Sequence, residues 1–309
     1  MFQNLEKTQE EIKIQAIVDA SMLKLFDTSK NKDKVNYNLF DAFYMESKPV
    51  LEANVTIEFD TISGNDMPTV STLQDTELNL LQASKGIQNA TILAIEGGVQ
   101  FSLKELRGGK INEARNIEFT SMNLMKKSLE LIMKGQVASE FNAKKTQFLS
   151  SSLIARSEKT RATKSWLDAT ITNKDIADEI DKAISYVNGL GFEEASIIIS
   201  NEAFRKMGLV GMSVEKGGIT ALSYIKDNTQ LTIYPTTLYD NVGVHKACFT
   251  VMPKSPSATT LLMGVTPQVL TTHYSLKHKT IGLITSFGGV FNTNLNNKNT
   301  AYTVTNLLG

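Results

Sequence analysis

Apolar residues near the N-terminus recur at helical spacing. Within residues 5–27, the positions that share this spacing are Leu5, Ile12, Ala16, Ala20, Leu23 and either Leu25 or Phe26. Charged residues lie between them, so the pattern predicts an amphipathic helix. The polar stretch "DTSKNKDKVNYN" that follows predicts a linker. We therefore expect residues 1–53 to form an N-terminal arm.

The next part of the chain alternates between apolar and polar residues. The stretch "NVTIEFDTI" places Val55, Ile57 and Phe59 on one face of a predicted strand. The stretch "SGNDMP" interrupts this pattern, and "ATILAIEGGVQFSL" restores it. The segment between the two strands exceeds about 12 to 15 residues, a length at which loops are usually functional or disordered. We predict a projecting β-rich loop whose two strands could pair.

A long helical pattern follows the stretch "RGGKIN", which we interpret as a tight turn rather than a hinge. The positions that recur at steps of three and four are Phe119, Met122, Met125 or Lys126, Leu129, Ile132 and Met133. This spacing predicts a helix from about Asn112 to Lys134, with Gly135 as its stop. Such a helix is roughly 30 Å long at 1.5 Å per residue.

The segment at 136–170 is weakly patterned. The sequence after it predicts two groups of helices and strands. A helix capped at Thr172 or Asn173 and ended by Gly189 precedes a buried strand, "ASIIIS", and a short helix, "NEAFRKMG". The stretches "LTIYP", "ACFTVMP" and "TTLLMGV" predict further short strands around the same sheet. Two long strands then follow Pro267, joined near residues 277–279, and we expect a bulge or bend at Gly288 and Gly289.

Composition excludes several classes of protein. The chain has no apolar run of about 18 residues that would predict a membrane span, and its charged N-terminus does not resemble a signal peptide. A single cysteine rules out an intramolecular disulfide framework. The 32 basic and 32 acidic residues cancel, so the total charge gives no reason to expect tight binding of nucleic acid.

Candidate catalytic groups are few. The common nucleotide-binding, zinc-protease and serine-hydrolase motifs are missing from the sequence. Cys248 and His245 could form a nucleophile pair, but their spacing in a strand favours a buried inert cysteine. His273 and His278 could bind a metal, although ordinary strand surface explains them better. The acidic run "DIADEID" fits a helix N-terminus as well as acid/base chemistry. We expect no enzyme, cofactor or metal, and keep a Cys-dependent hydrolase as a less favoured alternative.

Several short motifs occur in an order that resembles a known family. "NDMPTV" at 65–70 leads to "QFSLKELRGG" at 100–109, in which Phe101, Ser102, Glu105 and Leu106 match a strand-to-helix junction. "SWLDATITNKDIADEIDKAI", "ASIIISNEAFRKM" and the final pair of long strands follow. This order resembles the major capsid proteins of tailed phages, of the Hong Kong 97 type and its encapsulin-like branch. The family's "GLLN" segment after the long helix is missing, and "FNAKKTQFLSSSLIARSEK" stands in its place.

The resemblance implies an α+β, HK97-like major capsid fold with four parts. These are an arm (1–53), an extended β loop (54–100), a peripheral domain with a spine helix (101–165 plus 266–309, helix about 112–134) and an axial domain (166–265). The residues that the resemblance implies for contacts between subunits, in the β loop and at its base, are Val55, Ile57, Phe59, Pro68, Leu80, Ile92, Phe101, Glu105 and Arg107.

The function implied by the resemblance is assembly. Pentamers and hexamers of the chain would form an icosahedral shell around double-stranded DNA in a virion. Portal and scaffold or accessory head proteins would be partners, and assembly would take place in the cytoplasm of a bacterial host, without a membrane. An encapsulin-type nanocompartment, which encloses cargo enzymes, stays open as an alternative.

Overall fold

A computed structural model describes most of the chain. The described residues are 8–26, 38–47, 54–62, 83–91, 93–138, 146–148, 152–191, 194–209, 220–228, 231–242, 245–254, 259–291 and 299–309. The helices of this part are α1 Gln9–Phe26, α2 Leu103–Arg107, α3 Glu113–Lys134, α4 Asn173–Asn188, α5 Asn201–Leu209 and α6 Ala221–Asn228. Short 3-10 turns lie at Asn38–Ala42 and Thr237–Tyr239.

Strands make up most of the remaining regular structure. In chain order, those of the described residues are β1 Tyr44–Ser47, β2 Asn54–Ile62, β3 Ala83–Thr91, β4 Leu93–Ser102, β5 Gln136–Ala138, β6 Thr146–Phe148, β7 Ser157–Arg161, β8 Ala195–Ser200, β9 Thr232–Thr236, β10 Asn241–Val242, β11 His245–Lys246, β12 Cys248–Pro253, β13 Thr259–Tyr274, β14 His278–Phe291 and β15 Ala301–Thr305.

The first sheet has four strands in the order β1-β13-β14-β4. The long antiparallel hairpin β13–β14 forms its centre, β4 pairs antiparallel with β14, and β1 pairs parallel with β13. The spine helix predicted from the sequence is α3, which packs on this sheet through Ile117, Leu124 and Ile132, all of them buried. The core beneath α3 therefore joins the β loop's base to the long hairpin.

Two details of this hairpin differ from the predictions. The stretch "TTLLMGV" is the first part of β13 and not a separate strand of the other sheet, because it pairs continuously with β14. Gly288 and Gly289 pair in regular register with Leu262 and Leu261, so the predicted bulge at the two glycines is wrong. The irregularities lie in β13, between Met263 and Thr271. A local pattern predicts that a strand is present. It does not predict which strand will pair with it or how far that pairing extends.

The second sheet has five strands in the order β7-β15-β12-β8-β9. Its two faces are both buried: Phe249 and Val251 of β12 belong to one core cluster, and Cys248 and Met252 belong to the other. Helices α4, α5 and α6 cover the first face, whereas the second face meets the core under α3. This arrangement explains why every residue of the strand "ASIIIS" is buried, and why its apolar residues do not alternate with exposed polar ones.

The second sheet draws strands from both sides of the predicted axial range of 166–265. Strand β7 precedes that range, and β15 follows it, yet β15 pairs with both β12 and β7. The stretch 259–265 belongs to the first sheet instead. Sequence periodicity does not report pairing across more than 100 residues, so it could not identify the strand partners of this sheet.

Local capping signals place helices α3 and α4 where the sequence predicted them. The Asn112 side chain accepts a hydrogen bond from the backbone N–H of Arg115, and Gly135 ends α3 in the left-handed conformation with φ of 78°. Thr172 and Asp175 form a reciprocal capping box at the start of α4. Both boundaries were predictable because each depends on residues within one turn of the helix.

Candidate assembly interface

A separate two-stranded ribbon lies between β1 and β4 in the sequence. Strands β2 and β3 pair antiparallel over nine residues each, from Asn54 opposite Thr91 to Ile62 opposite Ala83. At about 3.3 Å per residue the ribbon is roughly 30 Å long. Neither strand pairs with a third strand among the described residues. Because an isolated two-stranded ribbon is only marginally stable in water, we expect the ribbon to gain stability from contact with another chain.

The ribbon carries three of the predicted contact residues. Val55, Ile57 and Phe59 occupy alternate positions of β2, as the sequence predicted, and register against β3. Pro68, Leu80 and Ile92 lie outside the described residues. The contacts of all six with another subunit stay a prediction.

The base of the ribbon is the strand-to-helix junction. Strand β4 ends at Ser102, and the backbone N–H of Leu103 donates to Lys277 O at 2.9 Å, which joins α2 to the tip of the β13–β14 hairpin. Gly109 follows α2 with φ of 64°, so a glycine closes the predicted tight turn. The junction is thus a compact surface element next to the hairpin tip.

The predicted residues at this base divide into one core residue and two surface residues. Phe101 is 2% exposed and packs in the core under α3, so its side chain lies inside its own chain. Glu105 and Arg107 lie on α2, which has no buried residue. The latter two are placed to meet another subunit, and that contact stays a prediction.

A buried lysine ties the junction to the N-terminal arm. The Lys279 side chain is only 6% exposed, and its Nζ lies 2.5 Å from Glu10 Oε1 of α1 and 2.5 Å from Glu113 Oε1 of α3. The Tyr274 hydroxyl donates to the same Glu10 carboxylate. One cation on β14 therefore holds the first turns of two helices. We call Glu10, Glu113, Tyr274 and Lys279 the lysine clamp.

The hydrogen bonds of the lysine clamp shift the pKa values of Lys279 and Glu10 in opposite directions. Burial alone would lower the pKa of Lys279, but the hydrogen bonds to Glu10 and then Glu113 raise it above its ordinary value. The hydrogen bonds from Lys279 and then Tyr274 lower the pKa of Glu10. Both charged forms are therefore favoured in the folded chain.

The arm also covers an open sheet edge. Strand β1 pairs only with residues 260–263 of β13, so the outer edge beyond Met263 has no neighbouring strand among the described residues. There the Gln15 amide of α1 donates from Nε2 to Pro267 O at 3.2 Å, and its Oε1 accepts from the N–H of Val269 at 3.0 Å. A side-chain amide thus replaces one residue of a pairing strand and protects the edge.

The cysteine considered as a nucleophile lies in the core. Cys248 has no exposed surface, and burial raises the pKa of its thiol far above the ordinary value. A thiol that stays protonated and inaccessible is a poor nucleophile. His245 lies on β11, outside the strand that carries Cys248. The pair therefore does not form the arrangement that a Cys-dependent hydrolase needs.

The other candidate groups have structural contacts. His273 and His278 are exposed beside the hairpin turn, and no group of three His, Cys, Asp or Glu residues in the described part could hold a metal. In the acidic run, hydrogen bonds from the hydroxyl and backbone N–H of Thr172 lower the pKa of Asp175, the capping-box residue. Glu179 accepts from the Trp166 indole at 2.8 Å. At least two of these carboxylates therefore stabilise the local fold.

Comparison with known proteins rests on structure rather than on sequence. No protein-family model and no curated protein matches the sequence. The capsid of Myoviridae phage XM1 is 12% identical with a TM-score of 0.64, covering 87% of this chain and 91% of that one. The virus-like particle from Pyrococcus furiosus is 12% identical with a TM-score of 0.58, covering 94% and 98%. The capsid of a native GTA particle is 8% identical with a TM-score of 0.57, covering 88% and 90%.

The chain has the HK97-like capsid fold. The α+β class and the fold predicted from the order of motifs are thereby confirmed. The division into parts that the resemblance implied stays a prediction, in which α3 would be the spine helix and the β2–β3 ribbon would belong to the extended β loop. The five-stranded sheet with α4, α5 and α6 would form the axial region.

The sequence did not identify the side chains that hold helix α1 of the N-terminal arm against the first sheet. Glu10 and Lys279 are separated by 269 residues, and Gln15 bonds to a strand more than 250 residues away. A charged residue in an alternating strand normally predicts a solvent-facing position. No local signal marks Lys279 as buried.

Proposed function

We propose that the chain is a major capsid protein, and that pentamers and hexamers of it form an icosahedral shell around phage double-stranded DNA. The observation that carries this proposal is the likeness to the XM1 phage capsid over 87% of this chain and 91% of that one. Such coverage means that the likeness extends over most of the chain, and not only over one sheet.

The ribbon gives the proposal a physical basis. A two-stranded ribbon that pairs with no third strand among the described residues is only marginally stable by itself, and it gains stability from a partner surface. Closed symmetry lets identical copies supply that surface to one another. A shell protein needs this kind of projecting, reciprocal contact.

A second candidate is an encapsulin-type nanocompartment, which shares the fold but encloses cargo enzymes. The similarity to the virus-like particle from Pyrococcus furiosus, over 94% of this chain and 98% of that one, favours it. Nuclease-protected DNA in purified particles would support the phage capsid, whereas a stoichiometric protein cargo would support the nanocompartment. Neighbouring portal and terminase genes, or a neighbouring cargo gene, would distinguish the two independently.

Electron microscopy and light scattering of the purified protein test the proposal directly. We expect uniform closed shells tens of nanometres across when the chain is expressed alone or with its scaffold and portal partners. If monomers or dimers are all that form, even with those partners present, the shell function is refuted.

We also propose a cellular location for assembly, and a structural rather than an enzymatic role for the chain. We place assembly in the cytoplasm of the bacterial host and the product in the virion. No helix in the described part of the chain is long and apolar enough to cross a bilayer. The buried thiol of Cys248 supports the structural role. A hydrolytic activity abolished by Cys248→Ser, with particles still formed, would contradict it.

A further inference from the structure

Strand β13 is much longer than the strand that borders it. It has 16 residues, whereas β1 has 4 and pairs only with residues 260–263. Beyond that pairing, residues 264–274 have β14 on one side and no strand on the other, within the part of the chain that the structure describes. At about 3.3 Å per residue, this outer side is roughly 35 Å long. We call it the β13 edge, and an edge of that length is a template on which another chain can pair.

Little in the sequence of the β13 edge opposes such pairing. Natural edge strands carry charged residues or prolines that prevent it. Pro267 has no backbone N–H, but the next residues, "QVLTTHY" at 268–274, contain no Pro, Gly, Asp, Glu, Lys or Arg. Within this stretch Leu270 is 40% exposed. High β propensity with low charge is typical of segments that associate through their edges.

The side chain of Gln15 takes the place of a strand residue on this edge. Its Nε2 donates to Pro267 O at 3.2 Å, and its Oε1 accepts from the N–H of Val269 at 3.0 Å. A residue of a parallel strand bonds in the same way, to the carbonyl before and the N–H after the residue opposite it, here Gln268. Nε2 also donates to Asp19 Oδ1 at 2.9 Å, which fixes the orientation of the amide because an ionised carboxylate only accepts. Gln15 therefore continues the parallel pairing of β1 from within a helix.

Helix α1 is held in place on both sides of Gln15. Towards its N-terminus, Glu10 Oε1 lies 2.5 Å from Lys279 Nζ in the lysine clamp. Ile14 and Val18 are 3% and 0% exposed and pack in the core under α3. The helix thus keeps the Gln15 amide against the β13 edge, and displacement of α1 would uncover both backbone groups that the amide binds.

We propose that α1 blocks the β13 edge, and that displacement of α1 lets residues 267–273 pair antiparallel with the same segment of a second copy. Two identical segments can pair in this way about a two-fold axis, which uses the same surface of both copies. In a pairing centred on Leu270, the exposed leucines of the two copies lie opposite each other. Helix α1 is then an autoinhibitory contact that keeps free subunits from associating through the first sheet. This role goes beyond the proposed shell function and does not depend on it.

A variant that releases α1 without changing its core residues tests the inference. Glu10→Gln with Gln15→Leu removes the charge that binds the lysine clamp and both hydrogen bonds to β13. The matched control, Glu11→Gln with Ala16→Leu, introduces the same two residues at neighbouring positions of α1. The control keeps the capping contact with Thr8, because Gln can replace Glu there. Both variants should keep the far-ultraviolet circular dichroism of the wild-type subunit.

Sedimentation equilibrium of dissociated subunits measures the association. A dimer forms only from open copies, so its apparent dissociation constant falls as the open fraction rises. We expect the released variant to dimerise at least about tenfold more tightly than the wild type, and the control to match the wild type. Hydrogen exchange of the Val269 amide should be faster in the released variant, because that N–H loses its acceptor.

A charge placed on the edge makes the test specific. Leu270→Lys changes a partly exposed residue at the centre of the proposed pairing. Added to the released variant, it should restore the monomer, because like charges would face each other across the two strands. The Val269 amide should still exchange fast, since α1 stays released.

Each other outcome contradicts a definite statement. A released variant that stays monomeric refutes pairing through the β13 edge, whatever the exchange rate of Val269. A dimer that Leu270→Lys does not dissociate lies elsewhere and also overturns the inference. If the released variant loses its circular dichroism, the single change Gln15→Leu decides by the same two measurements. Failure of the wild-type chain to form particles would refute the shell function and leave this inference to the sedimentation result.

Discussion

Replacing Lys279 with methionine should destabilise the subunit strongly. The substitution keeps a long apolar stem but removes the cation that holds Glu10 and Glu113. Both carboxylates would then lie at the same contact with no cation between them. Water does not replace the cation fully there, because the Lys279 side chain that fills the contact is only 6% exposed. The first turns of α1 and α3 would lose their common partner.

The structure sets the size of this effect. Removing one partner of a fully buried ion pair costs about 3 to 5 kcal/mol. The Glu10 and Glu113 side chains are 40% and 32% exposed, so water partly solvates them after the cation is removed. We therefore expect a loss of about 2 to 3 kcal/mol in the free energy of unfolding.

Urea unfolding of dissociated subunits measures this loss. Far-ultraviolet circular dichroism follows the helices, and the fluorescence of Trp166, the single tryptophan, follows the core around α4. The triple variant Glu10→Gln, Glu113→Gln, Lys279→Met removes all three charges and should recover most of the stability. A Lys279→Met midpoint equal to that of the wild type, with equal m-values, would refute the reasoning.

The remaining predictions concern the spine helix, the thiol, the pH dependence and the loop. Asn112→Ala should cost about 1 kcal/mol in urea unfolding because it removes an N-cap, whereas Asn112→Ser should not. Cys248 should resist alkylation until urea unfolds the chain, and fast labelling of the native protein would contradict its burial. Acidification below pH 4.5 should remove the stabilisation by Glu10, whose pKa is lowered in the folded state, and Lys279→Met should flatten that loss. Deleting 64–88 should leave a folded monomer that forms no particles, which light scattering would detect.

The elements with local boundary signals could be predicted from the sequence. The spine helix follows from Asn112 and Gly135, each of which acts within one turn of its end. The start of α4 follows from Thr172 and Asp175 in the same way. Side-chain caps are short-range interactions, so a single sequence contains everything needed to locate them.

The pairing of distant strands could not be predicted in this way. Strand β15 joins β12 and β7 through backbone hydrogen bonds that carry no side-chain signature. The hydroxyls of Thr250, Thr303 and Ser157 do bond in sequence across these three strands, at 2.8 Å and 2.7 Å. Each is an unremarkable polar residue in its own stretch, and only their juxtaposition explains their burial.

Total charge was the least informative quantity for the interface. Thirty-two acids and thirty-two bases cancel in the sequence, which fits a subunit that must pack densely against copies of itself. The same total is compatible with evenly mixed charges or with separated ones, and only the second arrangement specifies which surface meets which. In this chain residues 54–91 carry a net charge of −4, and residues 103–116 together with 275–279 carry a net charge of +4. Cancellation between such segments keeps the subunit neutral while its charges stay separated along the chain.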